Sequence, residues 1–161
     1  MDILIQPLGK VDPELVRWLK VRLPEILDAR VVVLRALPLD RRCYVPERGQ
    51  YNSTCLLRTL RPVRVTLGVT EVDIFANGMN FVFGEAELGG TRAVVSVYRL
   101  WDLDKGKVKE RLLKEAVHEI GHVLGLRHCS NERCVMSFSN SVVEVDRKSA
   151  YFCERHSQLQ I

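Results

Sequence analysis

Residues 118–129 read HEIGHVLGLRHC, which places three histidines, a glutamate, a glycine and a cysteine in one short stretch. The chain has four histidines, and all of them fall between His118 and His156, together with three of its five cysteines. His118 and His122 are four apart, so on a helix their rings stand one turn apart on the same face and can grip one ion. Glu119 is adjacent, where it can take a proton from metal-bound water. Gly125 lets the chain leave the helix in a left-handed conformation. The turn brings His128 round as a third nitrogen ligand. Three protein ligands leave a fourth position for water, which is the arrangement of a catalytic zinc, and zinc lowers the pKa of that water to about 7. HExxH alone occurs by accident on ordinary helices. The longer HExxHxxGxxH puts a glycine and a third histidine where the turn needs them.

A second set follows directly. Cys129, Cys134, Cys153 and His156 form C-x4-C and C-x2-H pairs with 18 residues between them. Two ligand pairs at short spacing suit a closed tetrahedral zinc with no open position, which is a structural role. Such a site supplies on the order of 10 kcal/mol of folding free energy to a tail too polar to hold a core. Histidine is a competent zinc ligand, so His156 is assigned here. The alternative leaves His156 on the surface and the fourth position to water. Cys43 and Cys55 match no ligand spacing and read as free thiols.

These residues need elements to position them. KVKERLLKEAVHEIGHVLGL carries an apolar stripe of Leu113, Val117, Ile120 and Leu124 and is the strongest helix signal in the chain. Residues 2–6 read as a first strand. VDPELVRWLKVRLPEIL reads as an amphipathic helix with Asp12 as N-cap and Pro13 at its first position, kinked at Pro24. ARVVVLRAL reads as a second strand, and strand, helix and strand within about 35 residues predict a βαβ unit with a parallel pair. NSTCLLRTLR predicts a short helix capped by Asn52 or Ser53. RVTLGVTEVDIF, FVFGEA and TRAVVSVYRLW predict three further strands. The composition turns polar after His128, with one short helix near DRKSAYFCERH. One domain is expected over 1–161, with an N-terminal part, 1–125, ending in the metal-binding helix and a small C-terminal part, 126–161.

The 161 residues are 47% hydrophobic and 27% charged, an ordinary globular composition. No run of about 18 apolar residues exists, so no membrane span or membrane partner is expected. MDILIQPLGK has an acidic second residue and too short an apolar run for a secretory signal. An odd number of cysteines fits metal ligands and free thiols better than a disulfide framework, so a reducing, cytoplasmic location is expected. The net charge of +4 is uneven: Arg41, Arg42, Arg48, Arg58, Arg61 and Arg64 stand against Glu47 alone. Without interleaved aromatics this segment reads as a solvated basic surface. Between Cys134 and Cys153, Glu144 and Asp146 balance Arg147 and Lys148. A nucleic-acid-binding zinc finger is therefore disfavoured.

HEIGHVLGLRH followed by Met136 resembles the metzincin clan of zinc peptidases. With the cysteines added, and with RGQYNST at 48–54, LGVTEVDIF at 67–75, NFVFGEA at 80–86 and CVMSFSNSVVEVDRK at 134–148, the chain resembles the archaemetzincins over about residues 40–156. The family pattern usually ends in C-x2-C, and His156 departs from it. The resemblance implies an α/β (α+β) metzincin-like zincin fold: a mixed twisted sheet, an active-site helix and a zinc-stapled C-terminal subdomain. It also implies one catalytic and one structural zinc, a turn holding Met136 beneath the metal, and hydrolysis of peptide bonds in a peptide or protein substrate. Some metzincins add a tyrosine two residues after the turn methionine; that position here is Phe138, so any second oxyanion donor comes from elsewhere. The expected mechanism is a zinc-activated water with Glu119 as general base, the substrate lying along an exposed edge at 91–98. The competing expectation is a zinc-binding interaction module of the same fold with little or no proteolytic activity.

Overall fold

Eight short strands and five helices account for the regular structure of residues 1–157, the part that a computed structural model of the chain describes. The last four positions of the expected C-terminal part, 158–161, lie outside the described residues. In chain order the elements are β1 (Asp2–Pro7), α1 (Pro13–Ile26), β2 (Arg30–Val33), β3 (Tyr44–Val45), β4 (Gln50–Asn52), α2 (Ser53–Arg58), β5 (Thr66–Thr70), β6 (Ile74–Phe75), β7 (Gly84–Ala86), β8 (Arg92–Ser96), α3 (Lys105–Val123), α4 (Val142–Arg147) and α5 (Glu154–Ser157).

The main sheet runs β2-β1-β5-β8-β7, with β3-β4-β6 forming a second, small sheet. The first three pairings of the main sheet are parallel and the last, β7 with β8, is antiparallel. The βαβ unit read from residues 1–37 forms as expected. Asp12 accepts from the Glu14 amide, Pro13 opens α1, and Leu15, Leu19, Leu23 and Ile26 bury its apolar stripe. Pro24 falls in the last turn, and the helix runs on to Ile26.

Alternation along β8 divides the core. Ala93 and Val95 face the cluster built from α1 and α3, while Val94 faces Leu56, Leu57 and Leu60 beneath α2. The sheet therefore has α1 and α3 on one face and α2 on the other. Both faces of β8 are covered, which places it inside the sheet. This corrects the expectation that residues 91–98 form an exposed edge: the edge beside the histidine helix is β7.

RVTLGVTEVDIF does not make one strand. It breaks after Thr70 and resumes as β6 in the small sheet. Asp73 anchors the break, because its carboxylate takes Arg99 at 2.8 Å and Gln50 at 3.1 Å, and its carbonyl accepts from the Tyr51 amide. The reading of Cys43 and Cys55 as free thiols is also corrected. A turn capped by Asp40 carries Cys43 against the start of α2, and the two cysteines form a disulfide. The remaining three cysteines are free thiols.

Asp104 caps α3 through the Gly106 amide, and Leu112, Leu113, Ala116, Val117, Ile120 and Val123 are fully buried along it. The helix stops at Gly125, whose φ is +99°. The Gly125 amide donates to His122 O and the Leu126 amide to Gly121 O, the paired bonds of a Schellman cap. Beyond it, Val135, Met136, Ala150 and Phe152 return to the same core cluster as α3. Arg111 on α3 ties down α4 through Asp146 at 2.8 Å.

Candidate functional site

The last turns of α3 set His118 and His122 side by side, with their Nε2 atoms 3.2 Å apart. Nδ1 of His118 lies 2.7 Å from Val135 O, and Nδ1 of His122 lies 2.7 Å from Leu126 O. A carbonyl only accepts, so each Nδ1 carries the proton and each Nε2 presents a lone pair. Two lone pairs facing each other at this distance repel unless a cation lies between them. A tetrahedral zinc with bonds of about 2.0–2.1 Å separates two nitrogens by about 3.3 Å, which the pair already matches. The turn at Gly125 delivers His128, whose ring centroid is 5.3 Å from that of His118 and 4.9 Å from that of His122. One nitrogen of each histidine lies within 4.8 Å of the others. Burial depresses the basicity of all three, most strongly at His118, and the Lys148 charge adds to the effect. The shift favours the neutral imidazole, the form that binds a metal.

Glu119 follows His118 and reaches the same cleft, a space of about 240 Å³ that β7, Phe138 and Ser139 also line. Burial holds its carboxyl well above the usual carboxylate range. The charges of Glu115 and Glu85 push the same way and Lys148 opposes them. A divalent cation held by the histidines would pull it back toward the ionised form. The space for Glu119 comes from Gly84 on β7, where a Cβ would stand 2.8 Å from Glu119 Oε2 and 2.6 Å from Val94 O. The Ser53 and Thr54 hydroxyls at the start of α2 donate to the Glu85 carboxylate and pin β7 from its other face. Gly84→Ala should therefore displace Glu119 and strain the strand pair. Turnover should fall about 100-fold, as for a ~1 Å misplacement, with overpacking costing about 1–3 kcal/mol. Rate measurements with a thermal melt check both, and wild-type values in each would refute this role for Gly84.

Met136 is fully buried and its sulfur packs directly on Gly121, where a Cβ would collide with it. Gly125 thus ends α3 and Met136 packs under Gly121 in the core. Gly121 had a sequence signal: a glycine inside a strong helix forfeits about 1 kcal/mol relative to alanine and needs a reason. A second feature left no such signal. The Lys148 side chain is 0% exposed, sits 2.9 Å from Glu115 Oε2, and donates to Ser137 O at 3.0 Å. Burial raises the Glu115 carboxyl, against the pull of Lys148. The pair lies behind the histidines and couples α3 to the segment after Met136. Phe138, by contrast, is 45% exposed, with its ring 5.2 Å from that of His128.

Below the turn, Cys129, Cys134, Cys153 and His156 bring one ligand atom each within 4.8 Å of one another. Cys129 and Cys153 sulfurs are 3.8 Å apart, and His156 Nδ1 is 3.7 Å from Cys134 Sγ and 3.6 Å from Cys153 Sγ. Tetrahedral zinc with Zn–S of about 2.3 Å gives about 3.8 Å between sulfurs and about 3.6 Å between sulfur and nitrogen. The amides of Met136 and Cys153 both point at Cys134 Sγ, at 3.4 Å, and Arg155 reaches Cys129 Sγ at 3.5 Å. Such donors suit thiolates. The structure thus places His156 with the three sulfurs, although the family pattern has a cysteine there.

Half of the basic segment is absorbed by structure. Arg42 pairs with Asp40, and Arg64 donates to Val123 O. Arg48 holds the carbonyls of Met79 and Asn80 and stacks 3.8 Å over Phe75. Among the described residues no helix is long and apolar enough to cross a membrane.

The sequence model of peptidase family M54 matches residues 41–160. An archaemetzincin of Archaeoglobus fulgidus is 61% identical over 153 residues, covering 95% of this chain and 94% of its own. The crystal structure of the A. fulgidus archaemetzincin complexed with malonate superposes with a TM-score of 0.94 at 58% identity, covering all of both chains. The crystal structure of a zinc-dependent peptidase from Methanocorpusculum labreanum superposes with a TM-score of 0.87 at 28% identity, covering 98% of each chain.

Proposed function

The chain belongs to peptidase family M54, the archaemetzincins, and from that premise we propose that it is a two-zinc metallopeptidase in which Glu119 is the general base. The observation that carries the reading is the facing pair of Nε2 atoms on His118 and His122, 3.2 Å apart, with a backbone carbonyl 2.7 Å from each Nδ1. His118, His122 and His128 would hold the catalytic zinc, and Cys129, Cys134, Cys153 and His156 the structural one. Bound at the three histidines, zinc supplies Lewis acidity: it lowers the pKa of water and polarises a carbonyl.

The rest falls to the chain's own groups. Glu119 is buried and unusually basic for a carboxylate, so it takes a proton from the attacking water and later gives it to the leaving amine. Gly84 keeps the space in which that carboxylate moves. β7 borders the cleft and among the described residues pairs only with β8, so an extended peptide can add to its open edge. Phe138 stands beside His128, with ring centroids 5.2 Å apart. Peptides or proteins are the substrates under this reading, and the cytoplasm is the proposed location.

Elemental analysis of protein purified without added metal should give about two zinc ions per chain. The zinc-replete protein should cleave members of a peptide library, and a chelator should abolish the cleavage. Zinc-replete protein that cleaves nothing in the library would refute the peptidase reading.

A further inference from the structure

Ser139 Oγ is buried and has neither a hydrogen bond nor an ion pair, and among the described residues no other buried side-chain polar atom is in that position. The other buried atom without a hydrogen bond, Glu115 Oε2, is ion-paired with Lys148. A hydroxyl taken out of water without a partner destabilises the fold, so a chain of this size keeps one where the partner arrives from outside. Ser139 is 8% exposed and lines the same cleft as His118, Glu119, His122 and His128.

Its surroundings hold it in place. On one side, the Lys148 ammonium donates to Ser137 O at 3.0 Å. On the other, the Asn140 amide donates to Glu144 at 3.4 Å. Between these two anchors Phe138 turns outward, 45% exposed, and Ser139 turns inward. Phe138 has no hydroxyl to offer the reaction. The neighbouring residue does, already desolvated and beside the cleft.

The geometry points to Ser139 as a catalytic residue: its hydroxyl donates a hydrogen bond to the scissile carbonyl oxygen as negative charge develops there. The assignment rests on the peptidase reading above. In the step, the water oxygen bonds to the carbonyl carbon and the π pair moves onto the carbonyl oxygen. Glu119 receives the water proton. Ser139 keeps its own proton throughout and forms no covalent bond. A donor fixed in a water-poor cleft is worth far more to the transition state than to the uncharged carbonyl, so its removal is felt in kcat rather than in KM.

Ser139→Ala tests this with three readouts on zinc-loaded protein: peptide cleavage, calorimetric binding of a phosphinic peptide that mimics the tetrahedral intermediate, and thermal melting. The expected results are a kcat lower by about 100-fold with KM nearly unchanged, weaker phosphinate binding, and a zinc content and melting temperature equal to or above those of the wild type. The last follows because the hydroxyl makes no bond within the fold. Wild-type kcat and phosphinate affinity in the variant would overturn the assignment, and so would a fall in melting temperature that matches the loss of activity. A wild type that neither cleaves peptides nor binds the phosphinate would refute the peptidase reading and this assignment with it. A wild type that does both beside an equally competent Ser139→Ala would refute the assignment alone.

Discussion

Glu119→Gln lowers peptide turnover by about 10²–10⁴-fold, the usual contribution of a positioned general base, while the protein keeps its wild-type zinc content. The amide has the size and shape of the carboxylate but cannot accept the water proton. Gly84 leaves the same space for either side chain. Glu119 stands beside the candidate ligand cluster and is not one of its three members, so the substitution removes no metal ligand. The substitution also removes an ionisable group from a buried site where Glu115 and Glu85 oppose its charge. The melting temperature should therefore hold or rise. Single-turnover cleavage with elemental analysis on the same sample separates the alternatives. A variant as fast as the wild type would remove Glu119 from the base role, and one that is slow only because it lost zinc would make Glu119 a ligand-site residue.

Cys134→Ser acts on the fold. Cys134 Sγ accepts two backbone amides and faces His156, so serine breaks a site held by segments distant in sequence. Structural zinc binding is worth on the order of 10 kcal/mol where folding depends on it. Loss of even about 3–5 kcal/mol of this lowers the melting temperature by about 10 °C at 2–4 °C per kcal/mol. Cys134 lies in the core cluster with Val135 and Met136, and the Val135 carbonyl holds His118 Nδ1. Activity should fall with stability, and one zinc should be lost. A strong chelator should lower the wild-type melting temperature and leave that of the variant nearly unchanged. A variant as heat-stable as the wild type, in zinc-replete buffer, would remove the structural-zinc claim.

Local rules act between residues close in the chain, and here they hold. Asp12 and Pro13 start α1, Asn52 caps α2, and Gly125 ends α3 with positive φ. Both candidate ligand clusters are legible in the sequence for the same reason: within each, neighbouring members sit at spacings a helix turn or a short loop brings together. Other expectations fail where distant segments compete. Residues 91–98 read as an edge strand, but Gly84–Ala86 pairs outside them. The break at Asp73 depends on Arg99, 26 residues away. Cys43 and Cys55 match no metal spacing, and only the packing of a capped turn against α2 makes them partners.

By itself the sequence determined the chemistry: which nitrogens, sulfurs and carboxylates are available, and the helical period and glycine turn that gather them. Imidazoles four apart on a helix meet whatever the rest of the fold does. Tertiary structure alone decided what surrounds that chemistry. It chose β7 as the wall of the cleft, Gly84 as the space for Glu119, Lys148 as the buried partner of Glu115, and Ser139 as the inward-facing hydroxyl. None of these has a local pattern, because burial and unpaired hydrogen bonds belong to the whole packed core.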